Sequence, residues 1–279
     1  MSFKAALIQM RSGVDMARNL SDASAMIRDA AAQGAQYVLT PEVTNIFETD
    51  RLRLRAVVAT EQDDASVAGF SRLAQELGIW LHAGSLALRA LDDKIVNRSL
   101  LFAPDGTVAA RYDKIHLFDV DMPSGERIRE SDFFAPGGEA VVAPLPWGPL
   151  GLSICYDMRF PKLYNVLANA GAMFMAVPAA FTVPTGQAHW HVLLRSRAIE
   201  TGSFVFAAAQ GGAHESGRHT FGHSLVVNPW GEIIAELGTE PGVLPFEVDE
   251  GLVNRDRGRI PALKNARAFN LKPAQGIAN

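Results

Sequence analysis

Pro149-Leu-Gly-Leu-Ser-Ile-Cys-Tyr-Asp-Met-Arg-Phe-Pro161 begins as an apolar run, changes character at Cys155 and closes on a proline. The pattern predicts a buried strand over Leu150–Cys155 and a helix over Pro161–Ala170 with proline in its first turn. A strand feeding a helix is the repeating unit of α/β folds. Cys155, at the carboxyl end of that strand, would project beyond the sheet edge, where such folds bind ligands. Backbone N–H groups in the turn that follows could face a developing oxyanion. A lone cysteine among apolar residues is ordinarily a small buried hydrophobe. The polar neighbours Tyr156, Asp157 and Arg159 argue otherwise, since a core cysteine has no need of them.

The same alternation extends in both directions. Helical periodicity predicts helices over Ala17–Ala32, Ala65–Leu77 and Ala188–Thr201, each followed by a glycine stop at Gly34, Gly78 or Gly202. Strands are expected at Lys4–Gln9, Tyr37–Thr40, Ile79–Leu88, Ile95–Phe102, Val108–Tyr112, Met173–Pro178, Phe204–Gln210, Gly222–Val227 and Glu232–Leu237. Asp105-Gly106 marks a hairpin, and Asn228-Pro-Trp-Gly231 a turn. Strands joined both by helices and by hairpins imply mixed sheets, two of them packed between helical layers. No linker, charge block or repeat divides the chain, so one α/β domain over residues 1–279 is expected, with a polar C-terminal arm at 254–279.

The 279 residues carry a net charge of −4, which gives no reason to invoke nucleic acid or an anionic membrane as partner. The longest apolar stretch, Ala170 to Phe181, is too short to span a bilayer and contains Gly171 and Pro178. One cysteine allows no intrachain disulfide, which fits a reducing, cytoplasmic setting.

A thiol with its ordinary pKa near ~8.5 needs a base or a cation beside it to react at neutral pH. His82, His116, His189, His191 and His223 lie near predicted element ends, so a Cys–His pair is one possibility. His189 and His191 fall on opposite sides of their helix, so together they offer no metal site, and no metal or other cofactor is expected.

Three separated segments supply a different partner set. They are Leu39-Thr-Pro-Glu42, Arg111-Tyr-Asp-Lys-Ile-His-Leu117 and Ser153-Ile-Cys-Tyr-Asp-Met-Arg-Phe-Pro161. In this order and spacing they resemble the nitrilase, or carbon–nitrogen hydrolase, superfamily. The resemblance runs over essentially the whole chain, including Gly222-His-Ser224 and Asn228-Pro-Trp-Gly231. It implies a four-layer α-β-β-α sandwich of the nitrilase type. It also implies Glu42 as general base, Lys114 beside the oxyanion with the Tyr156 N–H, and Cys155 as nucleophile. A second glutamate supporting the lysine falls on Glu130, with Glu126 close by.

The segments Lys114–Asp121, Phe181–Trp190, Leu193–Glu200 and Ala207–Gln210 resemble the Nit branch of that superfamily. The branch implies a small carboxylated amide as substrate, of the deaminated-glutathione kind or the 2-oxoglutaramate kind. Arg159, Thr182 and Thr185 are the candidates to hold its carboxylate. A nitrilase, a carbamoylase and a catalytically silent scaffold of the same fold are the alternatives. Family members are homodimers or larger, and the helix after Pro161 and the C-terminal arm are the expected contacts.

Overall fold

The structure is a computed structural model that describes residues 2–90, 94–121, 125 and 127–272. In chain order it runs β1 (Ser2–Gln9), α1 (Met16–Ala32), β2 (Tyr37–Leu39), α2 (Arg51–Val57), α3 (Ala65–Leu77), β3 (Trp80–Arg89), β4 (Ile95–Phe102) and β5 (Val108–Asp113). A hairpin of β6 (Asp119–Asp121) and β7 (Arg127–Arg129) precedes β8 (Phe134–Ala135), β9 (Val142–Ala143), β10 (Leu150–Leu152), α4 (Pro161–Asn169), β11 (Phe174–Ala176) and α5 (Val183–Thr201). The chain closes with β12 (Phe204–Ala207), a hairpin of β13 (Gly211–Ala213) and β14 (His219–Phe221), β15 (Leu225–Val227), β16 (Ile233–Glu236), β17 (Gly242–Asp249), α6 (Gly251–Arg259) and α7 (Ala262–Asn265).

Two mixed sheets result. The first has the order β17-β1-β2-β3-β4-β5, with β8 also paired to β4; the second has the order β16-β15-β12-β11-β10-β9. In each sheet three strands run parallel, β1-β2-β3 and β10-β11-β12. Alternation along β1 shows how the layers form. Phe3, Ala5 and Leu7 face the second sheet and share a core with Leu152, Phe174 and Phe206. Ala6 and Ile8 point the other way, onto Ala23 and Ile27 of α1 and Phe70 and Leu73 of α3. A strand covered on both faces therefore reads as an unbroken apolar run. Leu163 and Leu167 of α4 and Trp190 and Leu194 of α5 close the far side of the second sheet. The layers are α-β-β-α, as the sequence pattern predicts.

Helix α2 and the hairpins β6–β7 and β13–β14 lie outside the elements read from the sequence, and four further segments differ from expectation. The strand expected over Leu150–Cys155 ends at Leu152, because Cys155 takes φ +48° and its N–H donates to Pro178 O at 2.9 Å. A residue with positive φ cannot continue a ladder. Helix α5 starts at Val183 rather than Ala188, with Pro184 in its first turn. Gly186 stays in that helix because a Cβ there would lie 2.2 Å from the Phe221 ring. Strand β17 was not anticipated; it pairs with β1 along eight residues. The arm expected from residue 254 is helical as far as Asn265. Val253 and Asp256 are buried, and Arg257 donates to Ala172 O at 2.6 Å and Thr201 O at 3.1 Å. Residues 266–272 carry no regular secondary structure and are exposed.

Candidate active site

Three strands that are neighbours of the inter-sheet core end in one place. Glu42 follows β2 through Thr40-Pro41, Lys114 follows β5 directly, and Cys155 follows β10 by three residues. The turn carrying Glu42 is tightly held. Thr44 Oγ1 donates to Pro41 O, and the Val43 N–H to Ser85 Oγ, both at 2.8 Å. Gln210 Nε2 donates to Glu42 O at 3.0 Å. Strand β3 passes this turn at Gly84, where a Cβ would sit 1.9 Å from Thr40 O, so only glycine permits the approach. Val43 has φ +46° and Cys155 φ +48°. Such backbone is uncommon outside glycine and persists where the surroundings enforce it.

Lys114 is 2% exposed and held between two carboxylates. Its Nζ donates to Glu42 Oε1 at 2.8 Å and to both Glu130 oxygens at 2.8 and 2.9 Å. Asn97 Nδ2 donates to Glu42 Oε1 at 2.9 Å, and the Ala180 N–H to Glu42 Oε2 at 2.8 Å. Glu130 Oε2 also accepts the Phe118 N–H at 2.6 Å. The glutamate expected to support the lysine is therefore seated by geometry as Glu130; Glu126 lies outside the described residues.

The charges set the resting protonation. Burial lowers the Lys114 pKa, but Glu130, Glu42 and Cys155 outweigh it and raise the pKa well above 10.5. Burial raises the Cys155 thiol well above its ordinary value, and the Glu42 charge raises it further against the opposing pull of Lys114. Burial also raises Glu130, with Glu42 adding to it and Lys114 opposing. Burial and the Glu42 carboxylate together favour the protonated thiol at rest.

Asp157 fastens the cysteine turn to the lysine loop. Its Oδ2 accepts the Ile154 N–H at 2.9 Å and Tyr112 OH at 2.6 Å. Its Oδ1 accepts the His116 N–H at 3.0 Å and contacts His116 Nδ1 at 2.7 Å. The turn Cys155–Arg159 is a short 3₁₀ helix whose first internal bond runs from the Asp157 N–H to Ile154 O. The Tyr156 N–H precedes that bond, at the end of the turn where N–H groups point outward.

Cys155, Glu42, Lys114 and Glu130 lie at one side of a cavity of about 760 Å³. Tyr156, Thr182 and Thr185 line it, as does Asn97. Arg127, Arg129 and Arg218 are the arginines on its wall. Arg159 is not on that wall. Its guanidinium lies over the rings of Tyr156 and Phe181, at 5.8 and 5.2 Å, and reaches His189 Nδ1 at 3.3 Å. The five histidines weighed as thiol partners are placed elsewhere. His82 is buried between Tyr37 OH and Ser99 Oγ, His116 is on Asp157, and His191 and His223 meet Glu236.

Asn97, Gln210 and Arg218 escaped the sequence reading as site residues. Asn97 had a visible signal, a polar residue inside the apolar strand Ile95–Phe102. Its carbonyl accepts the Lys114 N–H at 3.0 Å, so strand pairing alone seats it beside the lysine.

A cysteine, a lysine and two glutamates at the strand ends of a four-layer sandwich define the nitrilase class of enzymes, and the comparisons agree. The chain belongs to the carbon–nitrogen hydrolase family, whose sequence profile matches residues 4–257. It is 38% identical over 265 residues to a deaminated glutathione amidase from Yersinia enterocolitica, covering 94% of this chain and 92% of that one. It is 36% identical to the human omega-amidase NIT2, with 96% of each chain covered. The crystal structure of the Caenorhabditis elegans NitFhit protein superposes with TM-score 0.90 at 36% identity, covering 95% of this chain; the chain spans 65% of the length of that protein. The protein is accordingly a hydrolase of carbon–nitrogen bonds.

Proposed function

We propose that the protein hydrolyses a small carboxylated amide through an acyl-thioester on Cys155, and that its substrate is deaminated glutathione. The observation that carries the chemistry is the Lys114 ammonium held by Glu42 and Glu130 on the same cavity wall as the buried Cys155 thiol. Glu42 takes the thiol proton as sulfur attacks the amide carbon. The carbonyl electrons move onto oxygen, where Lys114 and the Tyr156 N–H stabilise them. Collapse breaks the C–N bond, and Glu42 hands its proton to the leaving amine. Water then attacks the thioester, giving a proton to Glu42 and its oxygen to the acyl carbon. Release of the acid leaves a thiolate that recovers the proton from Glu42. Glu130 keeps Lys114 charged and in place throughout.

Arg218, Arg129 and Arg127 on the cavity wall, with Thr182 and Thr185, support a substrate bearing carboxylates. The cavity volume lies within the ~300–1,000 Å³ range of small-molecule sites. The resemblance to a deaminated glutathione amidase over nearly the whole chain supports that substrate, which would yield 2-oxoglutarate and cysteinylglycine. The omega-amidase likeness supports 2-oxoglutaramate as the second reading. Turnover of both compounds by wild type and Cys155→Ala decides. Loss in the variant establishes the nucleophile, and the kcat/KM ratio selects the substrate. Turnover of neither by wild type overturns the assignment.

The assembly we favour is a homodimer or larger, in a reducing cytoplasm that suits a free nucleophilic thiol. Exposed Val166 on α4, Val192 and Ile199 on α5, and Phe269 and Leu271 on the terminal arm support it. Light scattering that returns a 30.1 kDa particle would refute it.

A further inference from the structure

Away from the catalytic cavity, three elements bring metal-ligand side chains to one point. His191 lies on α5, His223 in the bend between β14 and β15, and Glu236 at the end of β16. His191 Nε2 is 2.8 Å from Glu236 Oε1, and His223 Nδ1 is 2.9 Å from the same oxygen. All three ligand atoms lie within 4.8 Å of one another, and none of the three residues lines the catalytic cavity.

We propose that His191, His223 and Glu236 form a site for a divalent transition metal of the Zn²⁺ kind. The donor set is two imidazoles and a carboxylate, which suits zinc, copper or nickel and not the oxygen-seeking calcium or magnesium. The geometry needs little change. Tetrahedral zinc with bonds of about 2.0–2.2 Å keeps its donors about 3.3 Å apart. Opening the two 2.8–2.9 Å contacts by roughly half an ångström makes room for the ion. Both rings already direct a nitrogen at one oxygen atom, as they would at one cation. Coordination requires only that each facing nitrogen be free of its proton, which the other ring nitrogen can carry.

His223 is also held in place more firmly than a surface histidine requires. It adopts φ +56°, its N–H donates to Gly238 O at 2.8 Å, and its carbonyl accepts Trp190 Nε1 at 2.8 Å. Its ring stacks on Phe221, with centroids 4.3 Å apart. A strained backbone fixed on both sides, with the ring pinned, is the arrangement of a preorganised ligand. The side chains remain 28–34% exposed, so an ion can enter and a water can take the fourth position. Bound metal would tie α5 to β16, the edge strand of the second sheet. His189, two residues away, faces Arg159 and takes no part.

The test uses the full-length protein, stripped with chelator and titrated calorimetrically with Zn²⁺ alone, with Co²⁺ absorption as a second readout. One Zn²⁺ per chain is expected in wild type and in Cys155→Ala alike. In His191→Ala and Glu236→Gln, affinity should fall roughly 100-fold or more, while circular dichroism reports the fold retained. Co²⁺ should give a tetrahedral spectrum without a thiolate charge-transfer band. Absence of stoichiometric Zn²⁺ binding to wild type would overturn the proposal. So would binding untouched by both variants, or binding lost in Cys155→Ala with a thiolate band in wild type.

Discussion

Replacing Glu42 by glutamine separates two roles that the structure assigns to one carboxylate. The amide is isosteric, and its oxygen can still accept from Asn97 Nδ2 or the Ala180 N–H, which lie 2.9 and 2.8 Å from the native oxygens. It cannot accept a proton at neutral pH. General acid–base catalysis is worth about 10²–10⁴ in rate. Turnover should therefore fall by that factor, about 3–5 kcal/mol of barrier. The thiol should respond in the opposite direction. Glu42 raises the Cys155 pKa through its charge and its hydrogen bond, whereas Lys114 lowers it. With the carboxylate neutralised, Lys114 acts on the thiol with one opposing charge removed, and the pKa falls. Alkylation by iodoacetamide across pH 6–10 reads this directly. In wild type, reactivity should rise at a higher pH than for an ordinary exposed thiol, because burial and Glu42 hold the proton on sulfur. In Glu42→Gln the rise should move to lower pH, so that a poorer enzyme carries a more reactive cysteine. Turnover within tenfold of wild type, or alkylation at pH 7.5 slower than wild type, would refute the reasoning.

Lys114→Met leaves Glu42 and Glu130 facing each other in a buried site without their cation, which should cost about 3–5 kcal/mol and abolish turnover. Burial raises the Glu130 pKa against the pull of Lys114, so without the lysine it rises further, and the variant should gain stability as pH falls, read as a rising urea midpoint; a pH-independent midpoint would contradict the pairing. His82 is buried and its pKa is lowered to about 3 from an unfolded value near 6.5. Its contribution is therefore complete above about pH 6.5 and is lost as pH falls towards 3, and His82→Gln should flatten the acid limb of the stability curve. Arg218→Ala should raise KM roughly 10–100-fold for a carboxylated amide and leave a neutral amide nearly unchanged, as expected for a lost charge-assisted hydrogen bond. Arg159→Lys, in contrast, should affect both substrates equally, since Arg159 packs on Tyr156 and Phe181.

What the sequence made legible follows from where its signals are local. Strand β4 and helix α3 were read to their ends because a largely apolar run closed by the Asp105-Gly106 turn, and a helical period closed by Gly78, are written in the segments and their immediate flanks. Glu42, Lys114 and Cys155 became readable as a set only because Leu39–Glu42, Arg111–Leu117 and Ser153–Pro161 together resemble one family; each residue alone has an ordinary surface or core reading. Residues whose role depends on pairing between distant segments were not legible. Strand β17 carries no strong pattern, its outer face being only partly buried, and acquires its place from eight register partners in β1. Arg218 reaches the cavity because the β13–β14 hairpin folds back there, which no local spacing states. Arg159 shows the converse: its proximity to Cys155 in sequence suggested a shared site, but the intervening 3₁₀ turn carries the guanidinium away to His189.

The pairing of two glutamates with one lysine follows from the proton traffic. A lysine 2% exposed cannot stay charged alone, because burial opposes its ammonium form. A single partner would suffice at rest but not during reaction, since Glu42 must become neutral each time it holds a proton. At that moment Lys114 would have only the transient oxyanion as a charged partner, and no fixed carboxylate to hold its ammonium in place. Glu130 removes the difficulty. It contacts Lys114 through both oxygens, and the Phe118 N–H steadies it independently of Glu42. The new oxyanion then replaces the charge that Glu42 has given up, so the charge around Lys114 stays nearly constant along the path. Asn97 Nδ2, 2.9 Å from Glu42 and 3.4 Å from Glu130, spans the two carboxylates and keeps them apart. On this argument Glu130→Gln should lower kcat through the stability of the oxyanion, while the alkylation profile of Cys155 changes far less than in Glu42→Gln. Equal shifts in the two variants would show that both glutamates act on the thiol alike.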